Sequence, residues 1–125
     1  SQFTEYLRSA PDDTDAMRYL AVLMIDQKKI DEAVAMLAMA YTKTPSLASR
    51  PLPASELPGG LNQMRKRVNA LSAHANRVKT GSAWLAMAVL VQSEGRDGIA
   101  RLLTERAGAS GLDETIKNEM LSALK

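Results

Sequence analysis

One spacing occurs twice in this chain, and it constrains the fold more than any other feature. Met17, Leu20, Ala21 and Met24 follow one another at intervals of three, one and three, and so do Trp84, Met87, Ala88 and Val91. Each set is followed by a pair of alanines, Ala33 and Ala40 after the first, Ala100 and Ala107 after the second. Corresponding positions lie 67 residues apart. Steps of three and four place side chains on one face of an α-helix. Small residues on such a face let a neighbouring helix approach closely, and large ones fill the space between. The chain is therefore expected to build the same helix pair twice.

Composition agrees with a helical chain. Of 125 residues, 46% are hydrophobic and only 4% aromatic, with alanine, leucine and methionine abundant. Straight-chain residues lose little freedom in a helix. The β-branched and aromatic runs that mark strands are absent. The length suits one domain with a real core. There is no cysteine, hence no disulfide framework and no thiolate metal site. No apolar run is long enough for a membrane span, and no signal peptide is visible. These absences favour a soluble, cytoplasmic setting.

Local signals place the helices. Asp12, Asp13 and Asp15 suit the start of a helix that runs to about Gln27. Asp31 and Glu32 open a second one, which ends at Thr44 because the residue before Pro45 is pushed out of helical angles. A turn of a few residues makes these two an antiparallel hairpin. Leu61, Met64, Val68, Leu71, Ala75 and Val78 alternate spacings of three and four, which predicts one long amphipathic helix. Gly81 punctuates it. Further helices are expected over 83–94, from Ile99 to Ala107, and after Asp113 and Glu114.

The first hairpin reads Met17-x2-Leu20-Ala21-x2-Met24, then Ala33-x3-Leu37, then Ala40, then Pro45. It resembles the tetratricopeptide repeat, whose pattern over about 34 residues is W-x2-L-G-x2-Y, A-x3-F and P. The hairpin from Trp84 to Ala107 is similar, with Thr104 in place of a large apolar residue and Leu103 beside it to supply packing. The resemblance implies an all-α stack of antiparallel helical hairpins, a TPR-like α-solenoid fragment. Residues 12–45 form one repeat and 81–111 another, with 112–125 a C-terminal capping helix. Pro11 and Phe3 lie 34 residues before Pro45 and Leu37. Residues 1–11, with Tyr6 and Leu7, thus look like the end of a preceding repeat, and the chain like part of a longer protein.

Between the two hairpins the pattern fails. Residues 46–80 are a degenerate repeat whose second helix is the long one at 61–79. Its first helix is replaced by SRPLPASELPGG, where Pro51, Pro53 and Pro58 forbid a helix interior. This irregular Pro-rich loop at 46–60 leaves a gap in the wall. Either Leu52 and Leu57 fold back to fill it, or it is a pocket.

Catalytic signals are weak. His74 is the only histidine and has no second ligand at metal-binding spacing. Ser72 lies two residues away, on a different face of the helix. The acidic residues read as caps and first-turn charges. The glycine pairs lack the strand and lysine of a phosphate loop. No enzyme activity, cofactor or metal is expected. The methionines occupy packing positions.

Charge is more informative. Residues 46–80 carry a net +5 and the flanking parts −3. Arg65, Lys66, Arg67, Arg77 and Lys79 form a basic patch, read either as a solvated helix face or as a docking surface for an acidic partner or RNA. No aromatics are interleaved for base stacking, which disfavours nucleic acid.

The first helices of tetratricopeptide proteins line a groove that binds peptides or other proteins. By that resemblance, the groove here is formed by Asp15, Arg18, Val22, Ile25 and Asp26 from one repeat and Leu85, Val89 and Gln92 from the other. The subgroup that clamps chaperone C-termini uses Lys, Asn and Arg at such positions. This chain instead has Asp15, Arg18, Tyr19 and Val22, then Ser82, Leu85, Ala86 and Val89, so that partner is not implied. The groove suits an apolar peptide or helix, or the chain's own Pro-rich segment. The expected role is a non-catalytic protein–protein interaction and scaffold module. The alternatives are self-association through the 61–79 stripe and docking through the basic patch.

Overall fold

In the computed structural model, residues 13–125 are described. The expected end of a preceding repeat, residues 1–11, lies outside them.

Asp13 caps the first helix, α1 (Thr14–Asp26), by accepting a hydrogen bond from the Ala16 amide at 2.9 Å. The chain turns at Lys28, whose φ is +66°. It then enters α2 (Ile30–Lys43), which carries Asp31 and Glu32 in its first turn and Lys43 in its last. Thr44 is extended at φ −137° ahead of Pro45, so the helix stops where the proline requires.

Two short 3-10 turns, Pro45–Ser49 and Ala54–Glu56, lie within the following irregular segment. Helix α3 (Gly60–Val78) is entered through Gly59 in a left-handed conformation at φ +84°. Thr80 accepts from the Ala83 amide at 3.2 Å and caps α4 (Gly81–Ser93). Next come α5 (Asp97–Ala109) and α6 (Glu114–Ala123), the latter capped by Asp113 through the Thr115 and Ile116 amides. Among the described residues the structure is entirely helix, turn and loop, with no strand. No described helix is long and apolar enough to cross a membrane.

Helix α1 packs on α2, and α4 on α5. Helix α2 also touches α4 directly, so the segment between them does not separate the two pairs. Helix α3 lies mainly against α4 and reaches α1 and α2. Helix α6 covers α5 and rests on the turn at Pro45–Ser49.

The six alanines of the duplicated spacing, Ala21, Ala33, Ala40, Ala88, Ala100 and Ala107, are all completely buried. The large residues that alternate with them, Met17, Leu37, Trp84 and Leu103, are buried too. Thr104 is fully buried without penalty, because its hydroxyl donates to the Ala100 carbonyl at 2.8 Å. Arg106 lies over the Trp84 ring, 4.8 Å from its centroid. Gly81 is a close-approach position. A Cβ there would sit 2.7 Å from the Leu112 amide nitrogen, so only glycine lets α4 start this near the α5–α6 turn.

The α3 stripe is spent inside the chain. Met64, Val68, Leu71 and Ala75 are buried, and only Leu61 and Val78 at its two ends are exposed. The surface on which self-association through 61–79 depended is thus already covered.

Candidate functional site

The Pro-rich segment settles the alternative left by the sequence. Leu52 and Leu57 fold back into the core at 1% and 3% exposure, joined by Leu47, Ala48 and Ala54. The segment's 3-10 turns satisfy some of its carbonyls, such as Leu47 and Pro53, and those of Ala48, Arg50, Leu52 and Pro58 take donors from elsewhere. Side chains from three helices supply them.

Arg18 of α1 reaches two of these carbonyls. Its Nη1 donates to the Arg50 carbonyl at 2.8 Å and lies 3.5 Å from that of Leu47. The same nitrogen donates to the Tyr41 hydroxyl at 3.2 Å, and Nη2 pairs with Asp15 at 2.9 Å. Burial pushes the Tyr41 phenol above its ordinary pKa, which keeps it a neutral hydroxyl able to accept from Arg18. From α4, Gln92 Nε2 donates to the Ala48 carbonyl at 2.8 Å and the Ser93 hydroxyl to that of Leu52 at 2.5 Å. From α3, Arg67 Nη2 donates to the Pro58 carbonyl at 2.7 Å.

Arg67 also clamps Asp26 with two bonds of 2.8 Å, and Gln63 donates to the same carboxylate at 3.2 Å. Burial by itself would raise the Asp26 pKa. The hydrogen bonds from Arg67 and Gln63 and the charges of Arg67 and Lys28 outweigh it and hold the carboxyl below its ordinary value.

Of the residues assigned to the groove, Arg18 and Gln92 hold the chain's own segment and Val22 borders it beside Leu57. Arg18, Val22, Ile25, Leu85, Val89 and Gln92 are all buried. Asp15 stays half-exposed, paired with both Arg18 and Arg50. Asp26 is partly buried under Arg67. Where Leu57 and Pro58 meet Tyr19, Val22 and Leu23, a small apolar cleft of about 250 Å³ remains. A wider opening of about 580 Å³ lies at the other end of the segment, bordered by Ser49, Gln92, Asp97 and Lys125.

The basic patch does not form one surface. Arg67 is 1% exposed, turned inward to Asp26 and Pro58. Arg65 pairs with Glu94 at 3.1 Å. Arg77 donates to His74 Nδ1 at 3.1 Å. Lys66 and Lys79 remain exposed. His74 is buried, with Asp31 3.5 Å from its Nε2. An arginine only donates, so Nδ1 is the acceptor and Nε2 carries the proton. No group of three or more histidine or carboxylate side chains able to hold a metal occurs among the described residues.

The sequence reading missed Ser93 and Tyr41 in the anchoring of the segment. Ser93 gave no signal, being a polar residue at the end of a helix. Tyr41, which holds Arg18 and not the segment itself, did, since it lies four residues after Leu37 on a packing face.

Comparison with known proteins gives no matching family model, no matching curated protein and no matching solved structure.

Proposed function

We propose that this chain is a non-catalytic interaction module, a TPR-like stack of helical hairpins whose groove holds an irregular, leucine-bearing segment. In the resting molecule that segment is the chain's own, residues 46–58. A partner segment of the same kind takes its place.

One observation carries this reading. Arg18 and Gln92 of the groove, together with Ser93 and Arg67, hold the segment through its main-chain carbonyls, those of Ala48, Arg50, Leu52 and Pro58. Leu47, Leu52 and Leu57 meanwhile fill apolar space. Peptide grooves work in this way: main-chain hydrogen bonds give affinity and apolar pockets give register. Neither demands covalent continuity with the rest of the chain. Docking through the basic face of α3 has less support, because Arg65, Arg67 and Arg77 all have partners within the chain.

The test uses a labelled peptide with the sequence of residues 46–58 and two forms of the full chain. The L52S/L57S form weakens the internal occupant and should bind the peptide saturably in the micromolar range. The unaltered chain should bind at least tenfold more weakly. If L52S/L57S keeps its helical circular dichroism yet ignores the peptide, the groove reading fails.

A further inference from the structure

We propose that the junction of the α1–α2 turn with α3 is a binding site for one oxyanion of the phosphate class, held by Lys28, Lys66 and Arg67. A pocket of about 80 Å³ opens there, lined by those three cations together with Asp26, Gln63 and Ile25. Liquid water occupies about 30 Å³ per molecule, so the space suits a small anion or the head of a larger ligand, not a side chain the size of an indole.

Three observations point to an anion. The first is charge. Three cations face a single carboxylate on this lining, and that carboxylate is already engaged. Asp26 Oδ1 accepts from Gln63 and Arg67, and Oδ2 accepts from Arg67. Neither Lys28 nor Lys66 has an ion-pair partner among the described residues.

The second is an unused donor. Arg67 is 1% exposed, and its Nη1 is buried with no hydrogen-bond partner, while Nε and Nη2 are both committed. Nη1 itself is closed to solvent, so an anion in the pocket that Arg67 lines acts on the guanidinium charge and does not accept from Nη1.

The third is backbone conformation. Lys28 adopts φ +66°, a region that glycine enters freely and other residues enter at a cost. The amide of Lys29 donates back to the Met24 carbonyl at 2.9 Å, so this is a helix-ending turn in which glycine is the preferred residue. A lysine stands there instead, as Lys79 does at φ +55° after α3, and Lys28 lines the pocket. The lining thus draws its cations from the turn and from two positions of α3. A tetrahedral oxyanion offers oxygens in more directions than a planar carboxylate does.

The experiment is an amide NMR titration of the full chain with sodium phosphate, with sodium chloride holding ionic strength constant. Saturable shifts confined to residues 25–29 and 62–70 are expected, at millimolar or tighter concentration. The K28G/K66M chain should bind at least tenfold more weakly. Because φ +66° suits glycine, its loss of response cannot be ascribed to unfolding if it melts no lower than the K66M chain. Shifts that rise linearly without saturation would overturn the site, as would shifts reproduced by chloride alone or retained in K28G/K66M. Acetate saturating at lower concentration than phosphate would overturn the assignment to the phosphate class.

Discussion

The two helix pairs and the segment between them fill one continuous core by different physical means. The pairs α1–α2 and α4–α5 satisfy their backbones internally and meet through alanines, so shape complementarity governs their contact. The 46–58 segment buries Leu47, Leu52 and Leu57 just as deeply. Four of its carbonyls, however, are satisfied by borrowed side chains, Arg18, Arg67, Gln92 and Ser93. Regular structure ties stability to volume. Irregular structure ties it to particular polar atoms, and it is the part expected to open first.

Three measurements would break or sharpen that contrast. The largest effect is expected from truncating fully buried leucines. Leu37→Ala in α2 should cost about 3–5 kcal/mol in urea unfolding, since packed helices cannot close the cavity. Leu52→Ala, also fully buried, should cost about 2 kcal/mol, since the segment around it can relax. Equal losses would mean that the segment is as rigid as the helices, and the distinction would collapse.

Next come the borrowed donors. Arg18→Met and Gln92→Leu should each destabilise by about 1–3 kcal/mol, because buried carbonyls lose their partners. Hydrogen exchange is the more telling readout. Amides of residues 47–58 should exchange at least tenfold faster, with those of α4 and α5 unchanged. Uniform acceleration along the chain would show that the segment does not open by itself.

The smallest effect concerns pH. Asp26 has its carboxyl held below its ordinary value in the folded state. The stability from its pair with Arg67 is therefore complete above the unfolded carboxyl pKa, near 4, and is lost as pH falls through the lower folded value. Between pH 5 and pH 2 the midpoint of thermal unfolding should fall more steeply for the natural chain than for Asp26→Asn. Parallel curves would mean that the ion pair adds nothing that water does not replace.

Much of the helical architecture is legible from residue spacing alone. The six alanines mark the helix contacts because only small side chains fit there. Thr44 ends α2 because Pro45 forbids the alternative. The long helix expected over 61–79 spans Gly60–Val78, and those expected over 83–94 and 99–107 span Gly81–Ser93 and Asp97–Ala109. The site was harder to read, and Arg67 shows why. In the string Arg65-Lys66-Arg67 it looks like one of three equivalent surface charges. Helical geometry separates them, since Arg67 lies three residues after Met64 and four before Leu71, on the buried stripe. That signal is present but is masked by the expectation that charge faces water. Arg18 and Gln92 lie on the faces assigned to the groove. Which segment they would hold depends on contacts across more than thirty residues of chain, and no local pattern records those.

The turn at Pro45–Ser49 rests against α6, the helix farthest from it along the described chain. This has a consequence for synthesis on the ribosome. Both helix pairs are local in sequence and can close as soon as their second member emerges. The beginning of the Pro-rich segment must wait for α6 before it gains its outer cover. Until then the Pro45–Ser49 turn lacks that cover, although α1, α3 and α4 already supply the donors for the rest of the segment.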